Sequence, residues 1–235
     1  MVSNNEDESF TDSKKDILKF PKIIGVDSRF VSYTPSKLYI NNLRFSKFSR
    51  KREKTFYHQY PQIEVVRSSL FQKICSKSSK ILANIKPNSK ILISDENNSL
   101  NKLVEIILEP YTRKYGVKLV YSGDYDYVVN PLIQDDEVNE IFASLFKGEG
   151  INFNKEDNEL YPLRNIEKKW INDFLENEGF ETLENKNEKD EYVQLANSFM
   201  EFLADVAPQF RDNVLRASDY IEENCINFLR KIRES

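Results

Sequence analysis

The sequence predicts an α/β chain: a parallel sheet with helical cover, followed by a C-terminal helical extension. Three observations predict it. KILIS (90–94) is an apolar run of strand length, and LNKLVEIILEPYTRKYG (100–116) behind it sets Leu100, Leu103, Val104 and Ile107 on one helical face before stopping at Gly116. VKLVYS (117–122) and DYVVNPL (126–132) read as two more strands, ahead of a helix over DDEVNEIFASLFKGEG (135–150) whose Val138, Ile141, Phe142 and Leu145 share a face. A strand–helix–strand–strand–helix order at these lengths is that of a parallel sheet. Beyond a polar tract, 192–207 and 211–233 read as two helices separated at Pro208.

Residues 1–19 are polar and charged, a disordered tail by composition. FPKIIGVDSRFVSY (20–33) shows strand-like pieces punctuated by Pro21 and Gly25. Residues 20–67 form a basic and aromatic unit. Within it Lys37, Arg44, Lys47, Arg50, Lys51, Arg52 and Lys54 alternate with Tyr39, Phe45, Phe48, Phe56 and Tyr57. The α/β unit spans 68–183 and opens on SSLFQKICSKSSKILANI (68–85), a helix interrupted or weakened by SKSSK. Its last helix, 165–178, carries Ile166, Trp170, Ile171, Phe174 and Leu175, with Gly179 as the C′ residue. An acidic linker at 184–191 leads to the extension at 192–235, where Val193, Ala196, Phe199, Leu203 and Val206 form a stripe. There is no internal repeat.

Composition narrows the functional classes. A net charge of −4 over 235 residues argues against a generally basic nucleic-acid coat, but not against a local basic patch. With 2 Cys, Cys75 and Cys225, and 1 His, His58, no Cys-based zinc site or iron–sulfur cluster is expected within the chain. Two isolated cysteines suit a reducing compartment. The N-terminal stretch is polar and acidic where a signal peptide would be basic then apolar, and no apolar run approaches the roughly 20 residues of a membrane span. A cytoplasmic protein without membrane association, holding no cofactor, is the expectation.

Four stretches, in order, resemble the PP-loop tRNA-thiolation proteins of the N-type ATP pyrophosphatase superfamily. SDENNSL (94–100) sits where that family has S-G-G-x-D-S: Ser94 and Ser99 match the serines, Asp95 and Glu96 replace both glycines, and Asn98 replaces the aspartate. DDEVNEIFASLFKGEGINF (135–153) is similar to the family helix that begins with acids and ends in a basic residue and glycines, here Asp135, Asp136, Glu137, Lys147, Gly148 and Gly150. The family's preceding Gly-His pair is replaced around Pro131 and Leu132. Pro162, Leu163 and Arg164 match its PL-plus-basic segment, and Pro208, Leu215 and Arg216 a later helical stretch. The resemblance covers roughly residues 85–225. It implies a Rossmann-like sheet of the PP-loop (HUP) type, trimmed between Ser94 and Asp135.

The loop lacks what such a site needs. A phosphate cradle uses backbone N–H groups at a helix N-terminus, and glycines let the backbone approach the anion. Asp95 and Glu96 bring two negative charges instead, each costing about 1 kcal/mol against an anion at about 4 Å in water and about 4 kcal/mol at an effective dielectric of 20. The resemblance therefore points to the degenerate Ncs2/Ctu2 branch, though the cysteine-rich zinc segments of that branch are missing. The implied role is non-catalytic: a subunit in wobble-uridine 2-thiolation of tRNA, partnered by a catalytic PP-loop subunit of the Ncs6/Ctu1 kind, by tRNA and by a ubiquitin-like sulfur carrier. Two alternatives stand beside it: an active ATP-dependent tRNA-modifying enzyme with an unusual loop, and an α/β interaction module with no RNA role.

Each of these features also has a plain structural reading. Ser94 or Asp95 can serve as an N-cap, and Asp135, Asp136 and Glu137 as an acidic first turn favoured by the helix dipole. Lys147 has a sufficient reason in the last turn of its helix. Lys37, Arg44, Lys47, Arg50, Lys51, Arg52, Arg211 and Arg216 are the candidates for RNA contact, cations for phosphate beside rings for bases.

Overall fold

A computed structural model describes residues 16–94, 98–151, 156–184 and 190–233. The sheet that the sequence predicts is formed by β4 (Lys90–Leu92), β5 (Lys118–Val120), β6 (Tyr127–Val129) and β7 (Glu159–Leu160), in the spatial order β5-β4-β6-β7. All of its pairings are parallel, with Ile91 opposite both Leu119 and Tyr127. Between the strands run α5 (Ser99–Tyr115), α6 (Gln134–Lys147) and, after β7, α7 (Lys168–Glu178). α5 continues through Pro110, which is itself buried. The strand formed by Glu159 and Leu160 is too short to show a periodicity in sequence.

Ahead of this sheet lies a smaller one, in the order β1-β2-β3, from β1 (Val31–Tyr33), β2 (Lys37–Ile40) and β3 (Glu64–Val66). β1 and β2 pair antiparallel, β2 and β3 parallel, the crossover being made by α2 (Leu43–Ser46) and α3 (Arg50–Gln59). A first helix, α1, covers 16–23. Two expectations change here. Residues 20–23 are helical rather than strand-like, and residues 16–19 belong to that helix rather than to a tail, because Ile17 and Leu18 are buried against Val31, Leu38, Ile40, Phe48 and Phe56.

α4 (Ser69–Ile81) runs unbroken through SKSSK, against the expected weakening. Its polar residues do not all face water: Ser78 is buried, and Lys77 lies 5.0 Å from the centroid of the Trp170 ring. The main core joins α4, α5 and α7 to the large sheet through Phe71, Ile74, Cys75, Leu103, Ile107 and Phe174. A third cluster holds α8 (Glu191–Val206) and α9 (Phe210–Arg233) onto α6 through Val138, Ile141, Met200, Phe210 and Leu215. Among the described residues no helix is long and apolar enough to cross a membrane.

Two acids, the buried Glu109 and the half-buried Glu178, couple the small sheet to the large one. Glu109 on α5 accepts the Tyr33 N–H at 3.1 Å and holds Arg113 at 2.7 Å, while Arg113 donates to the Ser28 and Val31 carbonyls at 2.6 Å each. Glu178 at the end of α7 accepts from Lys37 Nζ at 2.8 Å and Tyr39 Oη at 2.5 Å.

Candidate functional site

β4 is the first strand of its sheet, and the chain then builds outward on both its sides, to β5 on one and to β6 and β7 on the other. The crevice between the carboxyl ends of β4 and β6 is therefore a topological switch point, where open parallel sheets bind their ligands. Two helix N-termini, those of α5 and α6, flank it.

On the β4 side, Ile93 is fully buried and Ser94 follows it. Asp95, Glu96 and Asn97 lie outside the described residues. Asn98 caps α5, its Oδ1 accepting the Asn101 N–H at 2.8 Å, and Ser99 is the first helical residue. Asn101, itself buried, donates from Nδ2 to the Ser94 carbonyl at 3.0 Å and ties the strand end to the helix. The sequence expected Ser94 or Asp95 as the cap; Asn98 takes that place. Asparagine is as good a cap as either, and its position sets where the helix begins.

On the β6 side, Asn130–Ile133 lead into α6, whose first turn carries Asp135, Asp136 and Glu137 and whose cap, Ile133, offers no side-chain acceptor. The acids complement the positive end of the helix dipole at this turn. Asp135 and Glu137 also meet two cations and a backbone N–H from three other elements. Glu137, buried, accepts from Arg164 Nε at 2.6 Å, and Arg164 reaches on to Asp219 of α9 at 2.6 Å. Burial works against the Arg164 charge, but the hydrogen bonds it donates to Glu137 and Asp219 outweigh it and raise its pKa. Asp135 accepts the Lys168 N–H at 2.6 Å at the start of α7. Arg211 Nε stands 2.8 Å from Asp135 Oδ1, though its N–H makes no directed hydrogen bond, so this contact is purely electrostatic. Gln134 donates to Asp212 at 2.6 Å.

The motifs that lie apart in sequence are thus brought together. Pro162 and Leu163 are buried, and the Arg164 beside them clamps α6 to α9. Lys147 closes α6 and pairs with Asp190 at 2.6 Å, bracing α6 against the start of α8. Gly148 takes the left-handed conformation (φ +75°) that ends α6, and Gly150 is left-handed as well.

The candidates for RNA contact divide. Lys37 is held by Glu178 and Glu64, Arg52 donates to the Lys47 carbonyl at 2.5 Å, and Arg211 is taken up by Asp135. Arg44, Lys47, Arg50, Lys51 and Arg216 are exposed. Of the interleaved rings, Tyr39, Phe48 and Phe56 are core, whereas Phe45 and Tyr57 are open. Phe45 packs on Phe30 at 5.3 Å between centroids, with Arg44 over its ring. Arg50, Lys54, Tyr57 and His58 line a cleft of about 540 Å³ with Glu53, Glu64 and Val65. A second hollow, of about 400 Å³ around Asn88, Asp126 and Asp157, opens at the amino ends of the strands, away from the switch point.

Sequence reasoning missed Glu109, Arg113, Glu178 and Arg67. Arg67 donates to the Phe48 carbonyl at 2.5 Å and pairs with Glu53. Only Glu109 carries a local signal, a carboxylate on the apolar side of a helix.

No protein-family model and no curated protein matches the sequence. Among solved structures the chain is similar to the U34-tRNA thiolase NcsA from Methanococcus maripaludis, solved with its [4Fe-4S] cluster: TM-score 0.53 and 10% identity, covering 71% of this chain and 84% of that one. The likeness shows the fold, a Rossmann-like parallel sheet with a helical C-terminal part. A cluster like that of the neighbour does not fit the residues here. Iron–sulfur clusters are held by several thiolates, whereas this chain has 2 Cys, Cys75 buried in α4 and Cys225 exposed on α9. Among the described residues no group of His, Cys, Asp and Glu could hold a metal ion.

Proposed function

We propose that this chain is a non-catalytic subunit of a cytoplasmic tRNA wobble-uridine (U34) 2-thiolation complex. It scaffolds a catalytic PP-loop partner of the Ncs6/Ctu1 kind and helps to bind tRNA, with a ubiquitin-like protein as sulfur carrier. The observation that carries this reading is the state of the switch-point crevice in a thiolase-like fold. Its α6 acids are engaged by Arg164, Arg211 and the Lys168 N–H, and the loop opposite has no glycine. Such a crevice works as a joint that stiffens the fold rather than as a cradle for a polyphosphate. The exposed cations Arg44, Lys47, Arg50 and Lys51, beside Phe45 and Tyr57, supply a local surface for tRNA on a chain whose net charge is −4.

Deletion of the gene, followed by mass spectrometry of tRNA nucleosides, tests the proposal. The 2-thio group at position 34 is expected to disappear and to return with the full-length chain. Normal thiolation in the deletion strain overturns the reading. ATP turnover by the purified chain, lost on Ser99→Tyr, would replace it with an active enzyme.

A further inference from the structure

α8 carries two apolar stripes. One, through Ala196 and Met200, is buried against α6 and α9. The other is formed by Leu195, Phe199, Phe202 and Val206, whose spacing of four, three and four places them on one face. Leu195, Phe202 and Val206 are 53%, 62% and 67% exposed. Phe146 at the end of α6 extends the same surface, its ring 5.8 Å from that of Phe199. One stripe suffices to hold a helix to its own domain. A second, contiguous and open to water, marks a surface made for another protein.

Charge distinguishes the two edges of this face. The α6 side is closed by packing. The other side presents Glu191, Glu201 and Asp205, all exposed, and no ion pair among the described residues uses them. From Leu195 to Val206 the face is about 17 Å long, roughly three helical turns. Two copies of it paired antiparallel about a two-fold axis would set this acidic edge against itself, which disfavours that mode of self-association.

We infer that the outer face of α8 is a docking site for an amphipathic helix of another protein, with lysine or arginine along the edge that meets Glu191, Glu201 and Asp205. The apolar residues of that helix cover Leu195, Phe202 and Val206, and its cations meet the acids at the rim. The inference rests on α8 and its neighbour α6, and stands whether or not the chain acts in tRNA thiolation.

The full chain is titrated, by fluorescence anisotropy at about 0.1 M salt, with a labelled 18-residue leucine–lysine amphipathic peptide and its leucine–glutamate twin. The basic peptide is expected to bind at least tenfold more tightly than the acidic one. Leu195→Ser with Phe202→Ser should weaken it at least tenfold while circular dichroism shows an unchanged melt, because both side chains lie at the surface. Glu191→Lys with Asp205→Lys should reverse the preference between the peptides. Equal binding of the two peptides, or indifference to both pairs of substitutions, overturns the inference. So does a concentration-dependent dimer in sedimentation that Phe202→Ser dissolves, since a second copy would then own the face.

Discussion

Cys75 and Cys225 show how far the same side chain can be separated by its surroundings. Cys75 is walled into the main core, where burial pushes its thiol well above the ordinary range and keeps it protonated and inert. Cys225 is exposed on α9. A disulfide-exchange reagent is therefore expected to titrate one thiol per native chain and two in guanidinium; two fast thiols in the native protein would contradict the burial. Lys147, Lys37 and Arg211 make the same point for cations. Each looks available in sequence, and each is engaged by an acid from a distant element.

At the scale of elements, helix ends decide where the strands meet. α5 stops at Gly116, which is left-handed at φ +67° and leads straight into β5. A Cβ there would lie 2.4 Å from Asn88 Oδ1, and Asn88 is itself left-handed at φ +62°, its N–H bonded to the Tyr115 carbonyl at 2.8 Å. Gly116→Ala should cost about 1–2 kcal/mol in urea denaturation, from the backbone conformation and the collision together. Adding Asn88→Gly removes the collision and should recover part of that loss; no recovery would assign the whole cost to the backbone. α4 teaches the opposite lesson. A run of Ser and Lys looked like a break, but burial of Ser78 and the packing of Lys77 on Trp170 carry the helix across it.

For the whole molecule, the two sheets are joined through Glu109. Removing it leaves Arg113 facing carbonyls with its charge unmatched and the Tyr33 N–H without that acceptor. Glu109→Ala should destabilise the chain by about 3 kcal/mol, toward the low side for a broken buried pair because Arg113 keeps some access to water. It should also uncouple the units. The single Trp170 reports the α/β unit, so its fluorescence transition should fall behind the far-UV dichroism transition in the variant and coincide with it in the parent. Coincident transitions in both would show that the units are held together elsewhere.

Local patterning was enough to determine the α/β class, the order of β4, α5, β5, β6 and α6, and the two C-terminal helices, because apolar periodicity and glycine stops are short-range properties. The absence of glycine between Ser94 and Ser99, and the cysteine count, were equally plain in the sequence. Tertiary structure alone decided what the charges do. Glu137 meets Arg164 and Asp135 meets Arg211 only because α6, the turn after β7 and α9 converge at the switch point. It also decided that Lys37 is engaged while Arg44 and Lys51 stay open, and which stripe of α8 remains in water. An ion pair or an exposed face depends on which distant element arrives beside a residue, and no local pattern encodes that.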